Sequence, residues 1–153
     1  MPGAADDVVE ITQLLYRYAR AIDARDWKAL ESIFTPDARI HYAVERGAEL
    51  RFPELGPWLA RAMTIFKATK HVITNPLIEL EGDAARCTAY LTATHVQVRR
   101  DSGAEVLTTE GSTYTDELVR TPEGWRIRAR RLDRTWVDGQ YLWGDAAQTF
   151  PQP

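Results

Sequence analysis

Apolar residues fall at Val8, Ile11, Leu15, Tyr18 and Ile22, in alternating steps of three and four that make one stripe of an amphipathic helix. Asp7 followed by Glu10 has capping-box spacing and predicts a start near residue 7; Ala24-Arg25-Asp26 predicts the end. Asp23 stands beside the end of the stripe. A carboxylate near a helix C-terminus opposes the helix dipole, so this acid needs a reason other than helix stability. Asp26 is placed to cap a second short helix, Trp27 to Phe34, which Thr35-Pro36-Asp37 ends because the residue before proline leaves the helical region.

The period then drops to two. Arg39 to Val44 alternates, with Ile40, Tyr42 and Val44 on the inward face and Arg39 and His41 on the outward one. Residues 45–53 form a polar loop, and Pro53 to about Ala68 predicts a third helix carrying Leu55, Trp58, Leu59, Met63 and Phe66. His71 to Leu80, Ala85 to Val98, Glu105 to Val119 and Trp125 to Trp136 predict four long strands, joined by the turn sequences EGD, RDSG and TPEG. The layout is α+β: three N-terminal helices against one face of a curved, mostly antiparallel sheet that wraps around them as a cone-shaped barrel with a pocket. The tail from Val137, with Tyr141, Trp143 and Phe150, is expected to cover the pocket mouth or meet another subunit.

No linker or repeat divides the 153 residues, so one domain spans the chain. A net charge of −3 gives no reason to expect a nucleic-acid partner. The single cysteine, Cys87, falls in an apolar strand and reads as a buried, reduced thiol. MPGAADDVVE lacks the pattern of a secretory signal, and no apolar run approaches the ~20 residues that span a bilayer. A soluble, cytoplasmic protein with no membrane partner is expected. Aromatic residues in excess in strand and tail point to a homo-oligomer, a dimer or trimer.

Strand parity tells which polar groups reach the interior. Cys87, Ala89, Leu91 and Ala93 put His95 inward; His71 shares a face with Ile73, Asn75 and Leu77, although Pro76 interrupts that ladder. Trp125, Ile127 and Ala129 inward carry Arg131 and Asp133 inward too, unless a bulge hands the role to Arg130. Parity leaves the facing of Tyr114 open. The interior is therefore apolar, with Asp23, His71, His95, Tyr42 and Arg131 as its polar candidates. A carboxylate touching a histidine makes a general base, and a second histidine, a tyrosine or an arginine can stabilise a developing enolate. That set suits proton abstraction next to a carbonyl. The sequence has no nucleophile elbow, phosphate loop or dense cluster with metal-ligand spacing, so neither metal nor cofactor is expected.

The segments YRYARAIDARDW, FTPDARIHY, KHVITNPLIEL, ATH, GSTYTDEL and GWRIRARRLDRTW, in this order and spacing, resemble the SnoaL-like members of the nuclear transport factor 2-like superfamily. The resemblance covers nearly the whole chain. Its scytalone dehydratases and hexachlorocyclohexane dehydrochlorinases pair a helix-borne aspartate with a histidine on the first long strand, and Asp23 and His71 match those positions. The dehydratase's second histidine matches His95 and its tyrosine Tyr42; the dehydrochlorinase arginine falls on Arg130 or Arg131. Tyr18, Tyr114, Trp58, Phe66 and Asn75 are the expected substrate contacts. The chain departs from the dehydratase pattern at Ile22, where that family has a tyrosine, and at Tyr114, where it has an asparagine. The resemblance implies a cofactor-independent lyase or isomerase acting on a small cyclic or polyketide-like apolar or aromatic substrate. It also allows a structural subunit like the β subunit of aromatic-ring dioxygenases, or a small-molecule-binding module.

Overall fold

The first apolar stripe folds as α1, Ala4–Ala24, in the computed structural model, which describes residues 3–153. Ile11, Leu14, Leu15, Tyr18 and Ile22 are buried along it, while Val8 stays exposed. Each fully buried aliphatic side chain there contributes about 1.5–3 kcal/mol relative to an exposed one. The expected Asp7–Glu10 capping box is not made. The helix begins at Ala4, and Asp6 accepts the Gly3 N–H at 2.9 Å. Asp7 and Glu10 have better partners across the fold. Arg120 grips Asp7 with two hydrogen bonds of 2.7 and 2.8 Å, Trp125 Nε1 donates to it at 3.0 Å, and Glu10 accepts the Trp125 N–H at 2.8 Å. The bonds from Arg120 and Trp125 hold the Asp7 carboxyl down to about 2.

Where a second helix was expected there is one short 3₁₀ turn, Lys28–Ser32, with Asp26 accepting the Ala29 N–H at 3.1 Å. Strand β1, Phe34–Ala43, already runs through Thr35-Pro36 instead of following it; Pro36 sits where the pairing of β1 is irregular and needs no donor there. The expected loop hides β2, Glu49–Arg51. The last helix, α2, is Phe52–Ala62, shorter than its pattern suggested, and a 3₁₀ turn, Met63–Ile65, finishes it. Then come β3 (Ala68–Glu81), β4 (Ala84–Val98), β5 (Glu105–Thr121) and β6 (Gly124–Asp138).

The six strands form one sheet in the order β2-β1-β6-β5-β4-β3. All neighbours pair antiparallel except β1 and β6, which run parallel. The architecture is thus α+β with a mixed sheet and two α-helices, not three. The strands at the two ends of that order, β2 and β3, do not pair, so the sheet is curved but unclosed and the expected barrel is not completed. α1 packs across β3 and β6, and its stripe joins Phe34, Ile40, Leu91, Leu118, Trp125 and Ile127 in one core.

Two bulges correct the strand parity. In β6, Ala129 pairs with Glu117 but Ile127 with Leu118, which leaves Arg128 as an extra residue. From there the facing flips: Arg130 and Leu132 are buried and Arg131 is outside. In β3 the register slips between Thr74 and Leu77, with Asn75 in the left-handed region at φ 53. Leu77 becomes 67% exposed, and Asn75 also faces solvent. Among the described residues no helix is long and apolar enough to cross a membrane.

Candidate active site

Asp23 is aimed by the end of its helix. Arg25 terminates α1 in the left-handed region (φ 60), a conformation that costs a non-glycine residue roughly 1 kcal/mol or more. Its guanidinium offsets that cost: Nη1 donates to the Ile22 carbonyl at 2.8 Å and to Thr69 Oγ1 at 2.9 Å. Thr69 in turn donates to Asp23 Oδ1 at 3.0 Å. The turn presents Asp23 to β3, where Oδ2 accepts the His71 N–H at 3.0 Å and Oδ1 meets His71 Nδ1 at 2.7 Å. Burial pushes the Asp23 carboxyl up, but the side-chain and backbone hydrogen bonds from His71 outweigh it and leave the group below its ordinary value. An ionised carboxylate only accepts, so Nδ1 carries the proton and the lone pair of His71 lies on Nε2.

His71 lines a cavity of about 430 Å³ that opens between α1, α2 and the inner face of the sheet. His95 lies beside it, the two rings edge to face with centroids 5.7 Å apart. Phe66 packs on His95 at 4.7 Å, and Trp58 on Tyr42 at 5.5 Å. Tyr42 and Tyr18 share a 2.7 Å hydrogen bond between their hydroxyls. Burial, with Tyr18 and Tyr114 adding to it, pushes the Tyr42 phenol well above its ordinary value, so it stays a neutral donor. The structure therefore brings His71, His95 and Tyr42 to one pocket, with Asp23 behind His71 and Tyr18, Tyr114, Trp58 and Phe66 in the wall.

Two expected site residues lie elsewhere. Arg131 is on the outer face, paired with Asp133 and hydrogen-bonded to His41, because the bulge at Arg128 reverses the facing. Asn75 is on the solvent side of the slip in β3. The arginine that points inward is Arg130. It makes two parallel hydrogen bonds to Asp116, 2.8 and 2.7 Å, with both side chains almost wholly buried. Its third nitrogen, Nη1, has no oxygen partner among the described residues; instead the guanidinium lies 4.2 Å from the Tyr18 ring centre and 4.0 Å from that of Tyr114. Arg130 supports the tyrosine wall from behind.

Sequence reasoning missed the neighbourhood of His95. Tyr141, in the tail, places its hydroxyl 2.9 Å from His95 Nδ1 and 2.9 Å from Glu110 Oε2, and Arg134 pairs with Glu110 at 2.7 Å. Glu110 and Gln97 share His95's inward side, and buried polar side chains need partners; that was the available signal. Burial, then the neighbouring His71, Arg134 and Arg25, push His95 down to about 3. His95 is therefore neutral at all ordinary pH. Between that value and the 6.5 of a free histidine, only the unfolded chain takes up the proton. Stability is then lost as pH falls through this window, by about 1.4 kcal/mol per pH unit from this group. Urea unfolding at pH 7, 6 and 5 should show the loss, and the slope should be shallower by that amount in His95→Gln.

A profile of the SnoaL-like domain matches residues 3–131. The uncharacterized protein Rv2910c of Mycobacterium tuberculosis is 36% identical over 124 residues, 81% of this chain and 82% of that protein. Among solved structures, a candidate scytalone dehydratase from Novosphingobium aromaticivorans superposes with a TM-score of 0.75 at 21% identity, covering 92% of this chain and 91% of that one. A nuclear transport factor 2-like protein from Salmonella enterica gives 0.72 at 24% identity, over 86% and 93%. With the family profile spanning most of the chain, this protein belongs to the SnoaL-like domain family, and its fold is that of the nuclear transport factor 2-like structure it superposes on.

Proposed function

We propose that this protein is an enzyme that abstracts a proton next to a carbonyl of a small cyclic substrate, leading to a dehydratase-type elimination or an isomerisation. One observation carries the reading: an Asp23–His71 pair, 2.7 Å apart, leaves Nε2 of His71 as the free base of a largely apolar pocket. His71 Nε2 takes the proton, and the C–H electron pair moves to the carbonyl oxygen as an enolate. The Tyr18–Tyr42 hydroxyl pair has one proton left to give that oxygen, because only one is used between the two. In an elimination the enolate re-forms the carbonyl, the C–O bond at the β carbon breaks with its electron pair, and the departing hydroxide takes the proton held by His71. In an isomerisation the same proton returns to a different carbon.

A volume of about 430 Å³ suits one or two fused rings. The test is a panel of cyclic ketones and cyclic β-hydroxy ketones of that size, incubated with the protein in D₂O. Mass spectrometry reads deuterium gained next to the carbonyl and water lost. Catalysed exchange or loss of water in at least one tightly bound compound is expected. Tight binding across the panel with neither would overturn the catalytic reading in favour of a binding module.

A further inference from the structure

The tail after β6 is tied down over the pocket. Gln97, wholly buried, donates to the Leu142 carbonyl at 2.9 Å and accepts the Leu142 N–H at 2.8 Å. Gln148 N–H donates to the Val98 carbonyl at 2.8 Å and Phe150 N–H to the Thr64 carbonyl at 2.6 Å. Tyr141, next to Leu142, is therefore a built part of the pocket wall.

Its hydroxyl has one proton and two neighbours at 2.9 Å, Glu110 Oε2 and His95 Nδ1. Arg134 donates to the same Glu110 oxygen through Nε at 2.9 Å, and its Nη2 lies 2.7 Å from that oxygen as an ion pair. A carboxylate paired with a guanidinium only accepts, so the tyrosine proton points to Glu110. The phenol oxygen then accepts, and among the described residues the group left to donate to it is His95 Nδ1–H. A neutral imidazole has one proton, so Nε2 of His95 is a lone pair. It has no hydrogen-bond partner among the described residues, on a side chain that lines the pocket.

We propose that Tyr141, oriented by Glu110 and Arg134, is a positioning residue that fixes His95 in the Nδ1–H tautomer, and that the substrate carries a hydroxyl group that donates to His95 Nε2. The second half rests on the proton-transfer reading above and narrows it to hydroxylated cyclic ketones. An acceptor nitrogen offers no proton to a departing hydroxide, so the hydroxyl at His95 is one that the reaction retains. With both Nε2 atoms as acceptors, His71 receives the carbon-bound proton and His95 the O–H that orients the ring.

Long-range ¹⁵N–¹H spectra of histidine-labelled protein test the tautomer without any substrate. In the wild type, His95 Nδ1 should appear as the protonated nitrogen and Nε2 as the bare one. Tyr141→Phe removes the acceptor and should shift the ring toward Nε2–H. Glu110→Ala removes the acceptor of the tyrosine proton, which should then turn onto Nδ1 and do the same by a separate route. Nε2–H in the wild type, or an unchanged ring in both variants, overturns the proposal.

The hydroxyl is tested by Kd in the Asp23→Asn background, so that the result does not depend on turnover. A phenolic cyclic ketone should bind about ten- to a hundredfold more tightly than its methoxy or deoxy counterpart, and Tyr141→Phe should erase most of the difference. Equal affinities overturn the substrate assignment even if the tautomer is as stated. Absence of turnover in the wild type, with the affinity difference intact, would count against the catalytic reading alone.

Discussion

An Asp23→Asn variant is expected to fold, to bind pocket ligands, and to catalyse α-proton exchange about 10²- to 10⁴-fold more slowly than the wild type. The two oxygens of Asp23 accept three hydrogen bonds, from Thr69, the His71 backbone and His71 Nδ1. An amide has one acceptor oxygen. If the Asn oxygen faces Nδ1, its NH₂ opposes the His71 backbone N–H. If the amide turns over, NH₂ faces Nδ1, the imidazole must move its proton to Nε2, and the base loses its lone pair. Either arrangement also lacks the negative charge that stabilises the imidazolium formed during proton transfer. Rates of deuterium uptake, with KM read separately, check this: the loss should lie in kcat. Unchanged exchange would mean that Asp23 only ties α1 to β3.

The second large effect is on stability. Arg130→Met should cost about 3–5 kcal/mol in urea unfolding, because it strands Asp116 as a buried charge with no counter-ion. The loss belongs to the orphaned partner, and not to the value of the ion pair as such. Arg130→Met combined with Asp116→Leu should therefore recover most of it, since a buried pair can often be replaced by apolar groups at little net cost. A double variant as unstable as the single one would place the cost elsewhere, in the stacking of Arg130 on Tyr18 and Tyr114.

What could be read from the chain alone follows the range of the signal. The stripe of α1 and the alternation in β4 are local patterns, repeated over many residues, and they put Asp23 and His95 in place. His71 was legible for a related reason: it stands before the register slip in β3, where parity still holds. Asn75 stands at the slip, and Asn-Pro was its only local sign. Three consecutive residues, such as those of β2, carry no measurable period. The choice between Arg130 and Arg131 depended on one extra residue at Arg128, which nothing in the β6 sequence marks; the deciding fact is the buried carboxylate of Asp116 on the neighbouring strand. Tyr141 lies beyond every periodic element. Its role is visible only from the far side, through the unexplained inward Gln97 and Glu110.

The parallel pairing of β1 with β6 has a bearing on how the chain is born. Phe34 pairs with Ile127 and Tyr42 with Leu132, and Asp7 of α1 is held by Arg120 and Trp125. A ribosome delivers α1 and β1 first and their partners last. Until β6 emerges, the free edge of β1 and the part of the α1 stripe that packs on β6 have no native surface to cover them. The N-terminal third of this protein must wait in an unfinished state, and it is there, more than at the pocket, that a chaperone would find its work.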